Sequence, residues 1–140
     1  MNIDTVKTTD HKDKAKRLYE EIFPKADIAA LDDVIAPDGV GHEAPPGTPP
    51  GPAGVARTIG WLHSCFSDQR WEVHQAVSED DTVMLYMTHS GTHTGEFMGI
   101  PPTDRHFEYR MVQILRFENG LAAEAWGVRD DATFMRQITE

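Results

Sequence analysis

The sequence predicts an α+β fold: a strongly curved antiparallel sheet packed by about three N-terminal helices, plus a short C-terminal helix. Three observations predict it. Apolar residues recur at spacings of three and four up to Phe66. From residue 70 the period changes to two. Asn119-Gly120, between two strand-like runs, is a hairpin signal. Helices followed by strands is the α+β order, and helices on one face of a curved sheet leave a concave interior.

The first helix is expected over residues 10–23, with Ala15, Leu18, Tyr19 and Ile22 on one face. Thr9 or Asp10 can cap its start, and Pro24 stops or kinks its end. Residues 1–9 are expected to be a flexible N-terminus. A second short helix holds Ile28, Leu31, Val34 and Ile35 and ends before Pro37-Asp38-Gly39. The stretch APPGTPPGPAG, residues 44–54, supports neither a sheet ladder nor an interior helical turn and reads as a surface loop. Pro52 then opens a third helix whose stripe is Val55, Ile59, Leu62 and Phe66.

The first strand alternates Trp71, Val73, Gln75 and Val77 with polar residues. After the turn Glu79-Asp80-Asp81 the second strand runs from Val83 to about Ser90. It is apolar on both faces, which predicts cover on both sides. Phe107, Tyr109, Met111, Leu115 and Phe117 mark one face of the third strand, interrupted by Gln113. Leu121 to Val128 is the last strand. Asp130 or Asp131 can cap a closing helix with Phe134 and Ile138 inward.

The 140 residues suit one domain, 1–140. With 13 basic and 23 acidic residues the net charge is −10, which repels a phosphate backbone or an anionic membrane surface. No nucleic-acid or membrane partner is therefore expected. Cys65, the single cysteine, cannot form an internal disulfide, and MNIDTVKTTD lacks the apolar core of a signal peptide; a cytoplasmic location is the expectation.

The stretch GTHTGEFMGIPPT (91–103), the strand end ILRFENG (114–120), EAWGVRDD (124–131) and MRQI (135–138) together resemble the SnoaL-like polyketide cyclase family. His42 ahead of the Pro-rich loop and SDQRWEV (67–73) fit the same pattern. The resemblance implies the cone fold shared with nuclear transport factor 2 and ketosteroid isomerase, and a homodimer formed through the open sheet face. It implies a cofactor-independent enzyme that moves protons on a hydrophobic, polyketide-like small molecule, by cyclisation, isomerisation or ring opening. The aldol cyclases of the family carry an acid–base aspartate where this chain has Gly127 and a supporting histidine where it has Gln113. Neither replacement can transfer a proton. A binding or accessory protein that keeps the pocket without this chemistry is the alternative reading. The loss at Gly127, beside Ala123 and Ala125 on the same strand face, is expected to widen the cavity.

His93, where a strand meets the long turn, is a candidate base or donor to a substrate carbonyl, or else a fastener of the turn. His42 is the second catalytic candidate, or else a surface histidine. Gln113, Tyr109, Met111, Trp61 and Gly127 are expected to contact substrate. Glu96 reads as an exposed turn acid more readily than as a base. Glu124 and Trp126 point to the side of the last strand opposite Gly127. No metal is expected: His89 and His93 share a face, but four residues of strand separate them by ~13 Å.

Overall fold

The computed structural model describes residues 3–140. Helix α1 (Ile3–Arg17) continues through a π-helical turn (Leu18–Ile22) into α2 (Phe23–Lys25). A 3₁₀ helix (Ile28–Asp33) leads to strand β1 (Ile35–Gly41), then α3 (Pro52–Cys65), β2 (Phe66–Glu79), β3 (Thr82–His93), β4 (His106–Glu118), β5 (Leu121–Arg129) and α4 (Asp131–Thr139). The five strands form one sheet in the order β1-β5-β4-β3-β2. Strands β2 to β5 are an antiparallel meander, and β1 joins β5 in parallel.

The N-terminal helix is longer than expected. Residues 3–9 belong to α1 instead of forming a flexible arm, so Thr9 and Asp10 lie inside the helix and not at its start; residues 1 and 2 lie outside the described residues. At the other end Phe23 N–H bonds Leu18 O, five residues back, which widens the turn just before Pro24. Pro24 is tolerated at the start of α2, and Ala26, in the left-handed region at φ 52°, ends the helix. Leu18, Tyr19, Ile22 and Phe23 form the buried face, as their spacing predicts.

The expected second helix is only a 3₁₀ turn, and Ile35 belongs to β1. Pro37 fits there because β1 is an edge strand, where a missing N–H costs no ladder bond. Ile35 pairs with Ala122 and Val40 with Glu124, so residues 36–39 bulge away from β5. Strand β2 also departs from simple alternation. Its register shifts between Val73 and Gln75, so Val77, expected inside, is exposed while Ala76 packs on the core.

Val83, Leu85 and Met87 of β3 meet Leu115, Gln113 and Met111 of β4 on the inner face. The outer face of β3 is uncovered, contrary to expectation: Met84 and Tyr86 are 42% and 41% exposed, because every helix packs on the other side. Asn119 (φ 53°) and Gly120 (φ 80°) make the left-handed hairpin turn that their identities predict. Asp130 Oδ1 accepts the Thr133 N–H at 3.1 Å and caps α4, whose Phe134 and Ile138 are buried.

Candidate active site

A largely apolar cavity of about 130 Å³ lies where β1 bulges from β5. Leu18, Tyr19 and Phe23 wall it from the helices, Leu115 and residues 122–125 from the sheet, and Thr48, Pro49 and Gly51 from the Pro-rich loop. That loop is therefore a cavity wall, held by the Gly51 N–H on Gly39 O at 2.8 Å. Gly51 is in the left-handed region (φ 73°), and a Cβ there would lie 2.2 Å from Pro37 O, so only glycine lets the loop approach β1.

Tyr19 is the polar group most deeply set in this wall. It is 6% exposed and lines the cavity. Burial pushes its phenol up, and the charge of Glu43 adds to the effect. The phenol stays protonated and can donate a hydrogen bond.

Beyond Leu115 and Ala125, the next inner-face pair is Gln113 and Gly127. The Gln113 amide lies over Gly127: a Cβ on Gly127 would sit 2.5 Å from Gln113 Nε2. The glycine therefore does not widen the cavity as expected, because the glutamine fills the space. The row of small residues also differs. A register shift between Arg116 and Phe117 sets Ala122, opposite Phe117, in line with Ala125 and Gly127 and leaves Ala123 at the irregularity. Gly127 N–H donates to Glu43 Oε2 at 2.8 Å.

The two histidine candidates do not meet. Gly41, Ala125, Leu115 and Val83 form one row across the sheet, and His42 follows Gly41. His93 stands ten residues further along β3, about 30 Å at the usual strand rise. His42 is on the outer face: its Nε2–H donates to Glu124 Oε2 at 2.8 Å, and its ring stacks on Trp126 at 4.9 Å. Glu124 Oε1 also accepts from Arg116 Nε at 2.9 Å. The His42 bond first, then Arg116, holds the Glu124 carboxyl below the usual range.

His93 is fully buried. Thr103 N–H donates to its Nδ1 at 3.4 Å and Thr103 Oγ1 lies 3.0 Å from the same atom, so Nε2 carries the proton. That Nε2 has no partner among the described residues. The backbone of His93 closes the long turn through Arg105 O and Asp104 N. Neither His42 nor His93 belongs to the cavity wall.

Tyr109 is tied up as well. Its hydroxyl is 2.7 Å from His89 Nδ1, while His89 Nε2–H donates to Gln69 Oε1 at 3.0 Å. His89 stacks on Trp71 at 4.1 Å, and burial, aided by Arg129, lowers its pKa to about 3. Met111 is buried on the same inner face. Trp61 lies against Phe97 of the long turn, half exposed, and is not part of the cavity wall. Cys65 is buried, and burial pushes its thiol up. Among the described residues no group of three or more His, Cys, Asp or Glu is placed to hold a metal ion, and no helix is long and apolar enough to cross a membrane.

Sequence reasoning passed over Glu43, which stood unremarked between His42 and the loop. Tyr19 was read mainly as core. Its signal, a phenol on an otherwise aliphatic helical stripe, was visible but not distinctive.

The model of the SnoaL-like polyketide cyclases matches residues 13–138. The chain belongs to that family. Nogalonic acid methyl ester cyclase of Streptomyces nogalater is 34% identical over 71 residues, which are 50% of this chain and 53% of that protein. The chain thus spans about half the length of that curated relative. Among solved structures, IdmH of Streptomyces antibioticus, described as a proposed polyketide cyclase, is 34% identical with a TM-score of 0.79, covering 93% of this chain and 99% of IdmH. TsrD of Streptomyces laurentii is 25% identical with a TM-score of 0.83, covering 99% of this chain and 98% of TsrD. These likenesses agree with the SnoaL-like fold of helices on a curved sheet.

Proposed function

We propose that this SnoaL-like protein is a polyketide cyclase that moves protons on a flat, hydrophobic substrate held between the helices and the sheet. The observation that carries this reading is the apolar cavity with the buried Tyr19 phenol in its wall. An apolar wall suits a polyketide framework, and a neutral phenol donor suits a carbonyl whose oxygen gains charge as a neighbouring proton leaves. The step needs an acid and a base and no metal or organic cofactor. The two relatives that carry cyclase names support the class of reaction. Gln113, one inner-face position beyond Leu115 of the cavity wall, is the substrate-orienting residue in this reading.

The protein works as a cytoplasmic homodimer in this reading, paired through the outer sheet face. The exposed Val77, Met84, Tyr86 and Val128 support that pairing. Light scattering on wild type and on Met84→Asp tests it: a dimer that becomes a monomer supports the pairing, and a wild-type monomer removes it.

A second reading, a binding protein without chemistry, is favoured by one observation. The only carboxylate among the described residues of the cavity wall, Glu124, has both oxygens engaged. Incubation with an anthraquinone methyl ester bearing an open side chain, followed by mass spectrometry and NMR, separates the two. A cyclised isomer of unchanged mass supports the enzyme. Tight binding without conversion supports the binder.

A further inference from the structure

Glu43 follows β1 at the point where that strand leaves the sheet. The parallel ladder reaches Gly41 opposite Ala125 and continues through His42 N–H to Ala125 O at 2.9 Å. At the next step the chain turns away, and the Glu43 side chain takes the place of the backbone: Oε2 accepts the Gly127 N–H at 2.8 Å. Glu43 is exposed and not itself part of the wall, but it stands between Gly41 and Ala44, which are. The two carboxylates of this region differ in one respect. Glu124 is committed on both oxygens to His42 and Arg116, whereas Glu43 has no ion-pair partner among the described residues and leaves Oε1 without one.

We propose that Glu43 is the proton acceptor of the site and Tyr19 the hydroxyl that stabilises the resulting enolate. This rests on the proton-transfer reading above. The Gly127 amide fixes the carboxylate, and the Gln113 amide, lying over the same glycine, fills the space beside it. Tyr19 supplies a neutral donor from the cavity wall.

The step balances without a co-reactant. Glu43 takes a proton from the carbon next to a substrate carbonyl, and the C–H electron pair becomes the enolate, whose oxygen accepts the Tyr19 O–H hydrogen bond. The enolate carbon forms a bond to a second carbonyl carbon of the same molecule. The oxygen of that second carbonyl receives the proton back from Glu43. The product is an isomer of the substrate, and Glu43 ends as a carboxylate.

The test separates the base from the ring closure. 2-Tetralone, a flat bicyclic ketone, is incubated with the full chain in D₂O, and exchange of its α-protons is followed by NMR. Glu43→Gln keeps an acceptor for the Gly127 N–H but cannot take a proton; its exchange rate falls about 100-fold or more, with KM little changed. Tyr19→Phe leaves the Glu43 bond intact and lowers the rate about tenfold. Glu72→Gln, an exposed carboxylate of β2 outside the cavity wall, serves as the comparison and retains the wild-type rate, and thermal melts confirm that each variant is folded. If wild type accelerates exchange and Glu43→Gln retains it, the assignment to Glu43 is overturned while the proton-transfer reading stands. If wild type shows no exchange above buffer, both fail.

Discussion

The side-chain amide of Gln113 occupies the space that a methyl group on Gly127 would need, 2.5 Å from the ideal Cβ position. The two residues face each other in register on the inner side of β4 and β5. A glycine and a glutamine that look like two separate losses therefore form one packing unit. Gly127 also offers its N–H to Glu43, so the same residue positions an amide and a carboxylate next to the cavity.

That unit gives a sign reversal. Gly127→Ala in the wild-type background pushes Gln113 aside and costs about 1 kcal/mol. In a Gln113→Ala background the clash is gone, and alanine in a strand interior gains about 0.5–1 kcal/mol over glycine. A double-mutant cycle by urea denaturation measures this, and the expected coupling is about 1–2 kcal/mol. Additive single effects would refute the pairing.

His89 makes stability depend on pH. Its folded pKa is lowered to about 3, so between that value and the unfolded histidine value of about 6.5 only the unfolded chain binds the proton. Its stabilising contribution is complete above about pH 6.5 and declines as pH falls toward about pH 3. His89→Phe leaves Tyr109 and Gln69 without their partner and costs about 2–4 kcal/mol at neutral pH. It should also flatten the stability profile between about pH 6.5 and pH 4 by close to one proton. Urea midpoints across that range supply both numbers.

Glu124 works in the opposite region. Its carboxyl is depressed, so its contribution is present above the unfolded glutamate value and disappears as pH falls through the lower folded value. Glu124→Gln is expected to lower the melting temperature at neutral pH, with the difference shrinking once pH falls below the unfolded glutamate value of about 4.3. Added salt should shrink the neutral-pH difference, since the cluster is at the surface.

The legible parts of this chain were those governed by local rules. Val55, Ile59 and Leu62 of the α3 stripe, the inner faces of β3 and β4, the Asn119-Gly120 turn and the Asp130 cap follow from spacing and side-chain chemistry alone, whereas Phe66, expected on that stripe, opens β2. Strand β1 was not legible, because Pro37 and Gly39 read as breakers until β5 offers an edge to pair with. The outward Val77 depends on a register shift that alternation cannot reveal. The site suffered most from this: the His42–Glu124 bond and the Glu43–Gly127 bond join residues more than eighty positions apart, and both exist only because β1 pairs with β5.

The GTHTG run carries a last prediction. Gly95 has ordinary backbone geometry, so its identity is not required by φ. It is required by proximity: a Cβ there would stand 1.9 Å from Ser64 O and 3.2 Å from Cys65 Cα, both backbone atoms at the end of α3. The Gly95 N–H bonds Cys65 O at 2.8 Å, with Thr94 N–H on the same oxygen at 3.1 Å. This crossing seats the long turn on the helix end, next to the buried His93. Backbone cannot swing away as the Gln113 amide can. Gly95→Ala should therefore cost about 1–3 kcal/mol, more than Gly127→Ala, and hydrogen exchange should rise first at Thr94, Gly95 and the turn up to Asp104. Equal cost at the two glycines would show that the turn can lift off α3 without loss, and that its seat on the helix is not what holds it.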